Sequence, residues 1–172
     1  HPFFSEELAY SLRDSGLIKI ESGECIIARE IDSFDSLNLP NTVEGVIISR
    51  IDLLNPTQQL VLKVASVIGR IFDYKTLKEI YPVESDKAFL TDYLNSLEKL
   101  DITPLDIPPP DLKYIFKHAL TQEVVYNLML FEQRQQLHKA IAELYEKNYE
   151  NCLNFYKILV DMKSSKKMQR VL

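Results

Sequence analysis

Ile102-Thr103-Pro104-Leu105 and Lys113-Tyr114-Ile115-Phe116-Lys117 stand on either side of Asp106-Ile107-Pro108-Pro109-Pro110-Asp111. The outer runs are short and rich in β-branched and aromatic residues, which predicts two strands. The prolines between them make a stiff loop. The chain before this hairpin is helical. Val43, Val46, Ile47, Ile51 and Leu54 share one face of a helix over Thr42–Leu54, with the period of an amphipathic α-helix. Asn55-Pro56 then punctuates the chain, Asn55 as an N-cap and Pro56 at the first position of a second helix. That helix carries Leu60, Val61, Val64, Val67 and Ile68 and ends at Gly69. Asp73 caps a short third helix, which Pro82 stops after Ile80. A fourth opens at Glu84 or Ser85 and carries Leu90, Tyr93, Leu94, Leu97 and Leu100 in one stripe. Three helices followed by a β-hairpin is the order of a winged helix, and it places such a domain at residues 41–118.

On the N-terminal side, Phe4, Leu8 and Leu12 recur at helical spacing behind Pro2, and Gly16 is placed as a C-terminal cap. Leu17-Ile18-Lys19-Ile20 and Cys25-Ile26-Ile27-Ala28 predict a second hairpin with Gly23 in its turn. Residues 32–41 are polar and read as a linker. On the C-terminal side, Ala119–Met129 reads as a helix, and Phe131 to about Tyr149 as another with Leu130, Leu137, Ile141 and Leu144 as its apolar stripe. Residues 151–160 stay apolar and can continue it, while the basic tail 161–172, with Lys163, Lys166, Lys167 and Arg170, is expected to fray. The fold class is therefore mainly α with short β-hairpins: a helix and hairpin at 1–40, a winged helix at 41–118, and C-terminal helices at 119–160.

Composition narrows the function classes. The chain has 172 residues, 46% hydrophobic and 26% charged, as in an ordinary globular protein. Its net charge of -5 disfavours a dedicated nucleic-acid binder, because phosphate neutralisation supplies most of such affinity. Cys25 and Cys152 lie too far apart for a metal-ligand spacing and read as partly buried free thiols of a reducing, cytoplasmic setting. No apolar run has membrane length. A start at His1-Pro2 rather than Met suggests a chain that begins inside a longer protein.

No catalytic motif emerges. The glycines at 16, 23, 45 and 69 are isolated and build no phosphate loop. Glu6, Glu7, Asp14, Asp32 and Asp35 fall on predicted solvated faces rather than in an acid/base pair. No metal-ligand set is visible. His118 sits where the hairpin meets a helix; a buried, hydrogen-bonded junction residue outweighs a base or sensor there. Phe116 and Tyr126 are expected to point inward beside it, with Gln122 in the first turn of the helix, so that Phe116, His118, Gln122 and Tyr126 form a structural junction. His138 reads as a half-exposed helix residue. The basic run at 163–170 reads as a solubilising tail rather than a contact for lipid or nucleic acid.

Several blocks together resemble one family. His1-Pro2-Phe3-Phe4-Ser5-Glu6-Glu7-Leu8, Leu39-Pro40-Asn41-Thr42-Val43-Glu44-Gly45 with Ser49-Arg50-Ile51-Asp52-Leu53-Leu54, Ala65-Ser66-Val67-Ile68-Gly69-Arg70-Ile71-Phe72, Phe116-Lys117-His118-Ala119-Leu120-Thr121-Gln122-Glu123-Val124-Val125-Tyr126 and Leu137-His138-Lys139-Ala140-Ile141-Ala142 are similar to ordered motifs of the STAND-type ATPase module. That module belongs to the AAA+ superfamily and accompanies soluble adenylyl and guanylyl cyclases, bacterial kinases and LuxR-like regulators. The resemblance spans roughly residues 1–146 and implies a helical lid followed by a winged helix, with helical repeats beyond. It implies that Pro2, with His1 beside it, lies on the adenine side of a nucleotide held by an upstream P-loop core. ATP and Mg would then be cofactors of the intact parent and not of this segment. The glycine expected before His1 and the repeats expected after Tyr149 are not recognisable. The resemblance therefore implies a non-catalytic regulatory module, whose partners are the P-loop core and an output domain of the same chain. The alternative is the DNA-binding winged helix of a transcription regulator. Over 84–117, however, Glu84, Asp86, Asp92, Glu98, Asp101, Asp106 and Asp111 outnumber Lys87, Lys99, Lys113 and Lys117.

Overall fold

The computed structural model describes residues 2–21, 24–28 and 40–168, with side chains as far as Leu153. It is mainly helical, with two small antiparallel sheets of short strands. Helix α1 (Pro2–Asp14) starts on its proline and stops at Gly16, whose φ of 71° is the left-handed value that glycine adopts at no cost. Gly16 N donates to Arg13 O and Leu17 N to Leu12 O, the paired bonds that close a helix C-terminus. Strands β1 (Ile18–Glu21) and β2 (Glu24–Ile27) pair antiparallel, Ile18 opposite Ile27 and Ile20 opposite Cys25. The predicted turn at Gly23 and the linker up to Leu39 lie outside the described residues.

Helix α2 (Val43–Asp52) is capped by Thr42, whose side chain accepts from Gly45 N. Glycine is needed at 45 for space, since a Cβ there would lie 2.9 Å from the Pro40 Cβ. Helix α3 (Pro56–Ile68) opens with a capping box between Asn55 and Gln58. Next comes β3 (Ile71–Asp73), then α4 (Tyr74–Ile80), whose first turn donates Thr76 N to the Asp73 carboxylate at 2.7 Å. A 3-10 turn over Glu84–Phe89 feeds α5 (Leu90–Lys99). Strands β4 (Leu105–Ile107) and β5 (Lys113–Ile115) come after it, and the three-stranded sheet has the order β3-β5-β4. Helix–strand–helix–helix–strand–strand is winged-helix order.

Two details of the three-stranded sheet differ from the sequence expectation. Ile71-Phe72-Asp73 is a third strand, with Phe72 opposite Tyr114; three residues pinched between two helices are too few to show a period. The first hairpin strand also begins at Leu105 rather than Ile102. Residues 101–102 are used instead to end α5: Asp101 takes a φ of 57° and its N–H donates to Glu98 O, and Ile102 N reaches back to Leu97 O. Aspartate is one of the few non-glycine residues that tolerate this conformation.

The core gathers Leu62, Val64, Phe72, Leu77, Leu94 and Phe116 from these elements. Each fully buried side chain of this size contributes about 1.5–3 kcal/mol. Helix α6 (Ala119–Asn127) adds Val124 and Val125 to the same core. Helix α7 (Phe131–Met168) lays Leu137, Ile141 and Leu144 against it. Leu130 instead precedes the helix and is 67% exposed. The helix runs on through Met168, past residue 161 where the basic tail begins, and no glycine or proline interrupts it. Cys25 and Cys152, expected to be partly buried, are both exposed. No helix among the described residues is long and apolar enough to cross a membrane.

Candidate functional site

A cluster of charged side chains lies where α1 meets α2, the end of α5 and the end of the second hairpin. On α2, Arg50 is the residue that comes one turn after Val46 and Ile47, so its phase points it inward, and it is 4% exposed. On α1, Glu7 lies in the same phase as Phe4, Leu8 and Ser11 and is 1% exposed. The two meet as a buried ion pair, Arg50 Nη1 to Glu7 Oε2 at 2.7 Å. The guanidinium also donates from Nε to Asp14 at 3.0 Å and from Nη2 to Leu100 O at 2.6 Å. One side chain thus ties the middle and the C-terminal end of α1 to the C-terminus of α5. Arg13 doubles this tie, reaching Asp14, Asp101 and Leu100 O.

Tyr10 is the centre of the cluster. Its ring faces Arg13, Arg50 and Lys117, each within 4.6–4.8 Å of the ring centroid, the geometry of cation–π attraction. Lys117, from the end of the hairpin, donates to the Tyr10 hydroxyl and pairs with Glu6 at 3.0 Å. The hydrogen bond from Lys117 holds the Glu6 carboxyl below its ordinary range, although desolvation works against it. Burial pulls the Lys117 ammonium down, but the bonds to Tyr10 and Glu6 outweigh it and the net shift is upward. Arg13 behaves alike, burial opposing and Asp14 and Asp101 raising it. The expectation of a solvated face is therefore wrong for Glu7 and Asp14, whose side chains are only 2% and 8% exposed; Glu6 does face solvent, its side chain 40% exposed, and is engaged there by Lys117. Asp32 and Asp35 lie outside the described residues.

His118 is the N-cap residue of α6, and its carbonyl accepts from Thr121 and Gln122. Its ring tilts against Phe3 with centroids 4.4 Å apart. Nε2 lies 3.6 Å from Glu7 and 3.8 Å from Glu6 and has no hydrogen-bond partner among the described residues. The imidazole is mostly buried, its side chain 24% exposed, but the expected hydrogen-bond partner is missing among the described residues, since Nε2 lies beyond hydrogen-bond reach of both carboxylates. The expected Phe116–His118–Tyr126 cluster is divided. Phe116 is fully buried against Phe72, His118 packs on Phe3 of α1, and Tyr126 hydrogen-bonds His138 of α7 at 3.0 Å. Tyr126 lies just over two helical turns beyond His118, which carries it past the hairpin towards α7. Gln122 does act across elements, donating to Ser66 O of α3 at 2.7 Å. Pro2 is exposed at the N-terminus of α1, and His1 lies outside the described residues.

Sequence reasoning missed Arg50 and Glu7. The signal was present, since each is a charged residue in the apolar phase of its helix. The described residues hold no group of three His, Cys, Asp or Glu side chains placed for a metal ion. Compared with family models, curated proteins and solved structures, the chain matches none.

Proposed function

We propose that this chain is a non-catalytic regulatory module of a STAND-type signal-transduction ATPase. In this reading it relays the nucleotide state of a P-loop core elsewhere in the parent to an output domain, in the cytoplasm. The observation that carries it is the ionic clamp on α1. Pro2, where the resemblance puts the adenine contact, begins the helix that Glu7 and Asp14 lock onto Arg50. A joint of buried ion pairs has two discrete arrangements, made or broken, because an unpaired buried charge is costly. That is the property required of an element that switches rather than bends. Phosphate cradling and Mg binding would belong to the core, so Mg-ATP titrated calorimetrically into residues 1–172 should give no measurable heat. Micromolar binding by this chain alone would overturn the proposal.

Winged-helix order favours the second reading, attachment to duplex DNA. Charge opposes it. Of the four lysines over residues 84–117, Lys117 is held by Glu6 and Tyr10 and Lys87 by Glu84. The surface left to face phosphate is acidic.

A further inference from the structure

Helix α7 turns only part of its circumference to the body, through Leu137, Ala140, Ile141 and Leu144. A different stripe faces solvent. Phe131, His138, Ala142, Tyr145, Tyr149 and Cys152 are all exposed, and from His138 onward they recur in alternating steps of four and three residues. That is the seam of a coiled coil, in which each such side chain enters a hole on a facing helix. Phe131, Tyr145 and Tyr149 are 67%, 53% and 67% exposed and adjacent Leu153 is 42% exposed. Aromatic side chains bury about 200 Å² each when covered. These four alone uncover on the order of 450 Å² per copy, over half of the ~800 Å² per partner in a standard stable interface. The flanking polar side chains supply the rest.

We infer that α7 is the interface of an antiparallel homodimer in which Tyr149 of each copy fills the pocket around His138 of the other. That pocket, 350 Å³, lies at the N-terminal end of the stripe between Tyr126, Phe131, Arg134, Gln135 and His138. Its walls are set by the Tyr126–His138 hydrogen bond and by Arg134, 4.9 Å above the Tyr126 ring. The antiparallel register that puts Tyr149 opposite His138 also puts Ala142 opposite Tyr145, small against large, and Gln135 opposite Cys152. It brings Lys139 beside the partner subunit's Glu146, and two-fold symmetry makes this pair twice. Parallel pairing would bring Arg134 beside the partner subunit's Lys139, a like-charge contact. Charge and shape therefore select a second copy and its direction.

Sedimentation over a concentration series tests this, with circular dichroism showing that each surface variant keeps its helicity. The chain should associate into a dimer of two 20.0 kDa subunits. Tyr149→Ala should weaken association at least about thirtyfold, as removal of a central aromatic anchor does. Lys139→Glu should weaken it roughly tenfold, since both pairs become repulsive, and adding Glu146→Lys should restore it. With Cys25→Ser as background, Gln135→Cys should cross-link to Cys152 of the other copy under mild oxidation. A chain that stays monomeric at hundreds of micromolar overturns the proposal. So does a double charge reversal no tighter than the single one, or a Cys152–Cys152 cross-link formed without Gln135→Cys.

Discussion

Replacing Arg50 by methionine removes the charge and keeps most of the side-chain volume. Arg50 is 4% exposed and bonds Glu7 at 2.7 Å, Asp14 at 3.0 Å and Leu100 O at 2.6 Å. Asp14 retains Arg13 after the change, but Glu7, whose side chain is 2% exposed, loses its guanidinium partner. Breaking a buried pair from one side costs about 3–5 kcal/mol. Against a total stability of roughly 5–15 kcal/mol for a domain, such a loss is severe, and it should fall first on α1. Urea denaturation monitored by far-UV circular dichroism measures it as a lower midpoint, and hydrogen exchange shows whether the α1 amides open ahead of the α3 amides. The double variant Glu7→Met with Arg50→Met should recover most of the loss, because the penalty is the stranded charge and not the missing attraction. A cost below about 1 kcal/mol for Arg50→Met, or a double variant less stable than the single one, would refute the clamp.

The same geometry has other testable outcomes. Glu6 is held below its ordinary range and Lys117 above its own, so their contribution to α1 docking is complete between those ranges. It is lost as pH falls through the folded value of Glu6 and as pH rises through that of Lys117; α1 hydrogen-exchange protection should decline at both ends, and Glu6→Gln should remove the acid limb. The Tyr81 hydroxyl is buried without a hydrogen-bond partner among the described residues, and burial, with Asp86 and Tyr93 near, pushes it up to about 12. Tyr81→Phe should therefore be neutral or stabilising by up to about 1 kcal/mol, and should delete the latest step of an ultraviolet tyrosine titration. In a gel-shift assay the chain should leave a random-sequence duplex unshifted at low salt, and a salt-sensitive complex would move the DNA-binding reading ahead.

Much of the fold could be read from local chemistry. Asn55-Pro56, Asp73 and Gly16 mark helix ends because caps act within a few residues of chain, and the structure places all three at ends. The apolar stripes of α3 and α5 are visible for the same reason: their period belongs to one helix. Strand β3 was not legible, because what makes Ile71–Asp73 a strand is pairing with Lys113–Ile115, some forty residues away in the chain. The start of β4 was likewise decided by how α5 ends and not by the composition of Ile102–Leu105. The ionic clamp lay still further out of reach. The sequence by itself determined that Glu7 and Arg50 fall in the apolar phase of their helices. Only the tertiary structure decided that the two helices pack with those residues facing, so that each buried charge meets its opposite. His138 and Tyr126 teach the same point from the surface, since two side chains that the sequence assigned to separate roles become one pocket wall once α7 folds back past α6. Periodicity assigns a side chain to a face, whereas its partner is chosen by long-range packing, and a buried or half-buried charge takes its role from that partner.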